Sequence, residues 1–174
     1  MEAGRSILIV CALTLAGAGA SPAQGADSVA EDAPRFATTP FLEPDRCATA
    51  WVIVRYVDAR ATFSFHQRDD LPDDAEWFDL PEAELKRDAR RTTLEVLVER
   101  EEVTDPFVMR LVRLIHDIEI NAWATRREAG SRRLETELMD AFERAGSAER
   151  GIAVCFEMLD RLRQSDGDVD SWQP

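Results

Sequence analysis

Apolar residues in the second half of the chain recur at helical spacing. Val108, Leu111, Val112, Ile115, Ile118 and Ala122 lie three or four residues apart, as on one face of a helix. Asp105 and Pro106 mark its start, a capping side chain followed by a residue whose missing N–H costs nothing at the first helical position. Gly130 breaks the pattern. Leu134, Leu138 and Phe142 predict a further helix, and Ser147 caps a last one carrying Ile152, Cys155, Phe156, Leu159 and Leu162. Upstream, Thr93 can cap a helix to about Val103, with Leu94, Leu97 and Val98 inward. Residues 61–66 alternate, with Phe63 and Phe65 on one side, and predict a strand; residues 76–80 predict a second, after a turn around Pro72. Residues 81–91 are polar and compatible with a helix. Residues 47–57 are ambiguous: their β-branched run favours a strand, whereas Asp45 could cap a helix. The sum is a mainly helical α+β domain, with four to six helices and a small two- or three-stranded sheet near the N-terminal part of the domain.

The two ends follow other patterns. Arg5, the apolar run 7–15 and the small residues Ala18, Ala20, Ser21 and Ala23 predict a cleavable signal peptide over residues 1–23. The protein is therefore expected outside the cytoplasm, in the periplasm or the extracellular space. The apolar run falls short of the ~20 residues of a spanning helix, so no membrane anchor is expected after cleavage. Residues 24–44 are rich in Pro, Ala and Asp without an apolar period and read as a flexible linker. The domain is expected over residues 45–164. Residues 165–174 read as an acidic tail; Asp166, Asp168 and Asp170 resemble part of a calcium loop, but the closing Glu is missing.

Charge narrows the functions. The 34 acidic and 21 basic residues give a formal net charge of −13, which argues against nucleic acid and anionic membrane surfaces as partners. There is no glycine-rich phosphate loop, CxxC, HExxH or GxSxG, and no cofactor site is evident. Cys47 and Cys155 survive processing. An oxidising compartment permits them to pair; the alternative is two separately packed thiols.

Three groups of residues could carry chemistry. On the long helix, Glu119 falls at the edge of the apolar face, His116 further round it, and Asp117 toward solvent. This predicts either a half-buried carboxylate beside His116 at a cleft or a structural ion pair between Glu119 and an arginine. The second group is Asp45 and Arg46 with Arg55 and Asp58, the last two being i, i+3 neighbours if the segment is helical. An arginine fork binds oxyanions and carboxylates alike; the alternative is structural pairing of these arginines with Glu119 or Asp79. Trp51 reads as core. The third group, Lys86, Arg87, Arg90 and Arg91, could recruit an anion or form a solvated face balanced by Glu82 and Glu84.

Residues 45–65 resemble the opening of the chromate-resistance domain, found at the C-terminal end of ChrB-type regulators and in stand-alone exported proteins. The matching residues are Asp45, Arg46, Trp51, Val52, Ile53, Arg55, Tyr56, Val57, Asp58, Ala61, Phe63 and Phe65. Phe78-Asp79, Thr93-Leu94, Asp105-Pro106 and Leu114-Ile115-His116 with Glu119 extend the likeness, which covers about residues 45–163. Thr49 stands where the family has a cysteine, and Arg87 and Thr92 where it has a histidine and a cysteine. The resemblance implies a helix over residues 47–57. It also implies an exported protein that binds a small oxyanion or a metal ion rather than catalysing a reaction, through Asp45, Arg46, Trp51, Arg55, His116 and Glu119. His116 and Glu119 are the candidate metal ligands. Two other expectations stand beside it: a non-catalytic interaction domain that has lost the family site, and a small redox enzyme using Cys47 and Cys155. The sequence names no protein partner.

Overall fold

The computed structural model describes residues 33–121 and 125–165. They open on a strand that the residue pattern did not predict, β1 (Arg35–Thr38). Phe36, Ala37 and Thr38 are all buried, so no alternation betrays the strand. It is the middle strand of a parallel sheet in the order β2-β1-β3, with β2 at Thr62–Phe65 and β3 at Glu76–Trp77. The expected linker is thereby corrected: residues 33–44 belong to the folded unit. Phe36 stacks on Phe63 at 5.6 Å, and Phe78 meets both rings edge-on.

Residues 44–57 are helical, as the family resemblance implied and β-propensity did not. Helix α1 (Pro44–Val52) runs into a single π-helical turn (Ile53–Val57). Every residue of α1 is buried, which leaves no polar face to give a period. Its N-cap is Glu43, with Pro44 at the first helical position. Helix α2 (Thr93–Arg100) is capped one residue earlier than expected, by Thr92, in a reciprocal capping box with Glu95. Helix α3 (Pro106–Glu119) begins as predicted, with the Asp105 side chain accepting from the Phe107 and Val108 N–H groups. Helix α4 (Ser131–Ala145) ends at Gly146, whose φ of 68° closes the turn into helix α5 (Ala148–Gln164), capped by Ser147. Residues 81–91 form turns instead of a helix, tied down by a bridge between Phe78 and Leu85.

The architecture is α+β and mainly helical, with five α-helices and one small sheet among the described residues. Helix α1 packs against α2, α3 and α5, and a fully buried disulfide joins it to α5. That bond links Cys47 to Cys155, whose Cα atoms lie 6.3 Å apart. None of the described helices is long and apolar enough to cross a membrane. The expected signal peptide and the three tail aspartates lie outside the described residues, as does Ala122.

Candidate functional site

The start of α1 carries a buried polar network. Arg46 donates from Nε to Asp79 Oδ2 and from Nη2 to the Asp79 carbonyl, each at 2.9 Å. Its Nη1 donates to the Thr39 carbonyl, the Thr39 hydroxyl and the Phe41 carbonyl. Both partners are almost fully buried, Arg46 at 5% and Asp79 at 7% exposed. Asp79 accepts the Thr93 hydroxyl on its other oxygen at 2.7 Å, from a left-handed backbone position with φ of 54°. An aspartate tolerates that conformation better than most residues. Arg46 is thus held by a structural carboxylate, one of the two pairings the residues had allowed.

Asp45 is a capping residue, but of a different helix. Its oxygens accept the N–H groups of Thr93 at 2.7 Å and Leu94 at 2.9 Å, at the first turn of α2. Burial, reinforced by the Asp79 charge, pushes the Asp45 carboxyl up to about 7; the two N–H groups pull it down without cancelling that rise. Glu119 meets the same corner, accepting from the Asp45 N–H at 3.4 Å and from Arg87 Nη1 at 3.3 Å. Burial and the neighbouring Glu43 raise its carboxyl, and Arg87 opposes the rise. Asp45, Arg46 and Glu119 therefore share one network with Asp79, Thr93 and Arg87.

Arg55 and Trp51 lie elsewhere. The π-helical turn presents Arg55 to α5, where Nε and Nη2 grip Asp160 bidentately at 3.0 and 2.6 Å. Trp51 is wholly buried, and its indole N–H donates to the same carboxylate at 2.9 Å. The hydrogen bonds from Arg55 lead in holding Asp160 below its ordinary value, against its partial burial. The expected Arg55–Asp58 pair does not form; Asp58 binds Arg60 at 2.7 Å instead.

His116 opens onto a third place. Its Nδ1 lies 3.0 Å from Glu95 Oε2, the oxygen that also accepts the Thr92 N–H in the capping box. Beside it is a cleft of about 320 Å³, lined by Glu95, Val112, Arg113, His116, Asp117, Asn121, Arg127 and Glu128. Asp117, expected in solvent, is only 1% exposed. The helix wheel could not show that residues 125–131 fold back over it. Asp117 accepts the Ser131 hydroxyl at 2.6 Å, the Arg127 and Glu128 N–H groups at 3.0 and 3.2 Å, and the Asn121 amide at 3.2 Å. Burial raises the Asp117 carboxyl, but these donors together hold it at about 2. By gathering those N–H groups, Asp117 sets Arg127 at the rim of the cleft.

His116 and Glu119 thus turn to different partners. Among the described residues, no three His, Cys, Asp or Glu side chains are grouped to hold a metal ion. The basic stretch is spread over turns: Lys86 donates to the Pro81 carbonyl, Arg87 to Glu119, and Arg91 to Asp88 and Glu99. Glu95, Asp117, Arg127 and Asp160 were not foreseen as parts of these arrangements. Only Glu95 left a local sign, the Thr92-x-x-Glu95 spacing of a capping box.

The family model for the C-terminal domain of ChrB matches residues 36–165 of the chain. No curated protein and no solved structure matches it.

Proposed function

The chain belongs to the ChrB C-terminal domain family, which associates it with chromate resistance, and we propose that it is an exported module that binds a small oxyanion without catalysing a reaction. The observation that carries this reading is the His116 cleft. Glu95 engages Nδ1 and leaves the other ring nitrogen for a ligand, while the cleft is lined by two arginines, Arg127 and an Arg113 that also lies 3.8 Å from Glu128. A neutral imidazole bound in this way through Nδ1–H would accept at Nε2; a protonated one donates there, and the guanidiniums add positive charge for a tetrahedral anion. An anion is preferred to a metal ion because no three His, Cys, Asp or Glu side chains among the described residues are grouped to hold a cation, although Glu95, Asp117 and Glu128 also line the cleft. Export rests on the N-terminal pattern of Arg5, the apolar run and the small residues after it.

Calorimetric titration of the domain with chromate, sulfate and a divalent metal tests the binding. Chromate and sulfate should release or absorb heat, and His116→Ala and Arg127→Ala should each weaken the interaction. Silence with all three ligands would remove the reading. The mass of the protein recovered outside the cytoplasm should be smaller than that of the whole chain; equal masses would remove the export step.

A second reading, a non-catalytic interaction domain that kept the fold and lost the site, draws on the enclosure of Arg46 and Arg55 by Asp79 and Asp160. Under it, Arg46→Ala lowers stability and no variant changes any ligand affinity. The redox reading is the least supported, because both sulfurs of the Cys47–Cys155 pair sit in the core away from a substrate.

A further inference from the structure

Phe41 is 65% exposed, the largest exposure of any big apolar side chain among the described residues. Its loop is nevertheless fastened. From below, Arg46 Nη1 donates to the Thr39 carbonyl and hydroxyl at 3.2 and 3.1 Å, and to the carbonyl of Phe41 itself. The next residue, Leu42, is buried against α5 over Gly151, where a Cβ would collide with Leu42 Cδ1. An aromatic ring is thus presented to solvent on a backbone locked from both sides. Met139 on α4, 40% exposed, stands on the same groove. Together with Pro40, Leu42 and Phe142 these side chains line a concavity of about 560 Å³. Asp140 and Glu143 complete its α4 side.

We infer that this groove docks a segment of another protein that carries an apolar side chain flanked by lysine or arginine. Exposed aromatics are frequent anchors of interfaces, and a loop whose backbone is already fastened has little backbone freedom left to lose on binding. Charge selects the occupant. Asp140 and Glu143 favour a basic partner. A second copy would bring the same two carboxylates against themselves, in a chain with a formal net charge of −13. Arg150 stands only at the Gly146 end of the groove. The surface is separate from the His116 cleft, and the inference does not depend on what that cleft binds.

Fluorescence anisotropy with the full chain tests it with two labelled peptides. They share a Leu-Phe-Leu centre, and one is flanked by lysines, the other by glutamates. The lysine peptide should bind and the glutamate peptide should not. Phe41→Ala and Met139→Gln should each weaken binding by about tenfold or more, as expected for truncating an anchor. Met109→Gln, at an exposed apolar residue outside the groove, should leave it unchanged. Phe41→Ala keeps the carbonyl that Arg46 uses, so its thermal unfolding should match the parent; Met139→Gln gives an independent reading if it does not. No binding of the lysine peptide, or equal binding by all variants, overturns the inference. Sedimentation that shows a dimer dissolved by Phe41→Ala would assign the groove to a second copy and overturn it as well.

Discussion

Removing the Cys47–Cys155 bond should be among the most costly changes the fold can undergo. The two residues are 108 positions apart in sequence, so the bond closes most of the described chain into one loop. The chain-entropy relation puts the constraint on the unfolded state at about 4.8 kcal/mol for a loop of that length. Measured values for disulfides usually fall in the range of about 2–4 kcal/mol, so an expected loss of 3–5 kcal/mol is a fair bracket. Domains are stable by roughly 5–15 kcal/mol, so the loss is a large share of the total. Urea unfolding of protein purified without reductant measures it. Cys47→Ala/Cys155→Ala should lower the midpoint and steepen the slope, since the released unfolded chain exposes more surface. Either single alanine variant should fall within about 1 kcal/mol of the double, because each abolishes the same crosslink. Reductant should have little effect on the native protein and a strong one in urea, since both sulfurs are fully buried. A double variant that matches the parent to within about 1 kcal/mol would refute this contribution of the crosslink. Free thiols at both positions in the unfolded, unreduced protein would refute the crosslink itself.

Other consequences follow from the polar groups. Arg46→Ala and Asp79→Asn each leave a buried charge or its partner groups uncompensated and should cost about 3–5 kcal/mol in denaturant unfolding; a loss below about 1 kcal/mol would refute the assignment. Arg55→Ala breaks a pair whose side chains are about one-third exposed and should cost less, about 1 kcal/mol or under. Asp117 titrates low, at about 2 against an ordinary 3.8, so its contribution is present above pH 4 and is lost as the pH falls toward 2. That contribution is about 2 kcal/mol, and the parent should lose more stability than Asp117→Asn between pH 4 and pH 2. Asp45 has the opposite sign: its raised value makes the fold strongest with the group protonated, and that advantage fades as pH rises from about 4 to about 7. Carboxyl carbon shifts should show Asp45 titrating near 7; a midpoint below 4 would contradict the burial argument.

Legibility along the chain depended on whether an element had a polar side. Helix α3 announced itself through Asp105-Pro106 and a stripe of buried residues with exposed ones between. Helix α1 gave conflicting signs, because all nine of its residues are buried and nothing marks a face; only the family pattern decided it. Strand β1 was hidden for the same reason, with three successive buried residues in a stretch whose prolines and acids suggested a linker. The site was less legible than the fold. Asp45 could be read as a capping residue, but not as the cap of a helix that begins 48 residues later. The carboxylate that joins Arg55 to Trp51 is Asp160, 109 residues beyond Trp51, and no local spacing points to it. Asp117 was misplaced because a wheel considers one helix alone, and the cover over it comes from the following loop.

The central place of β1 also sets the order in which the fold can close. A chain made from its N-terminus produces this strand before either neighbour exists, and both of its edges stay open until Thr62–Phe65 and then Glu76–Trp77 follow. Cys47 waits longer still, since its partner sits on the last of the described helices. Nearly the whole chain must therefore be in hand before its first elements are satisfied, which makes the topology one of distant contacts and slow closure. A chain halted before α5 would carry a lone thiol on an incomplete core. Its stability would depend on whatever shields that core until the final turns arrive.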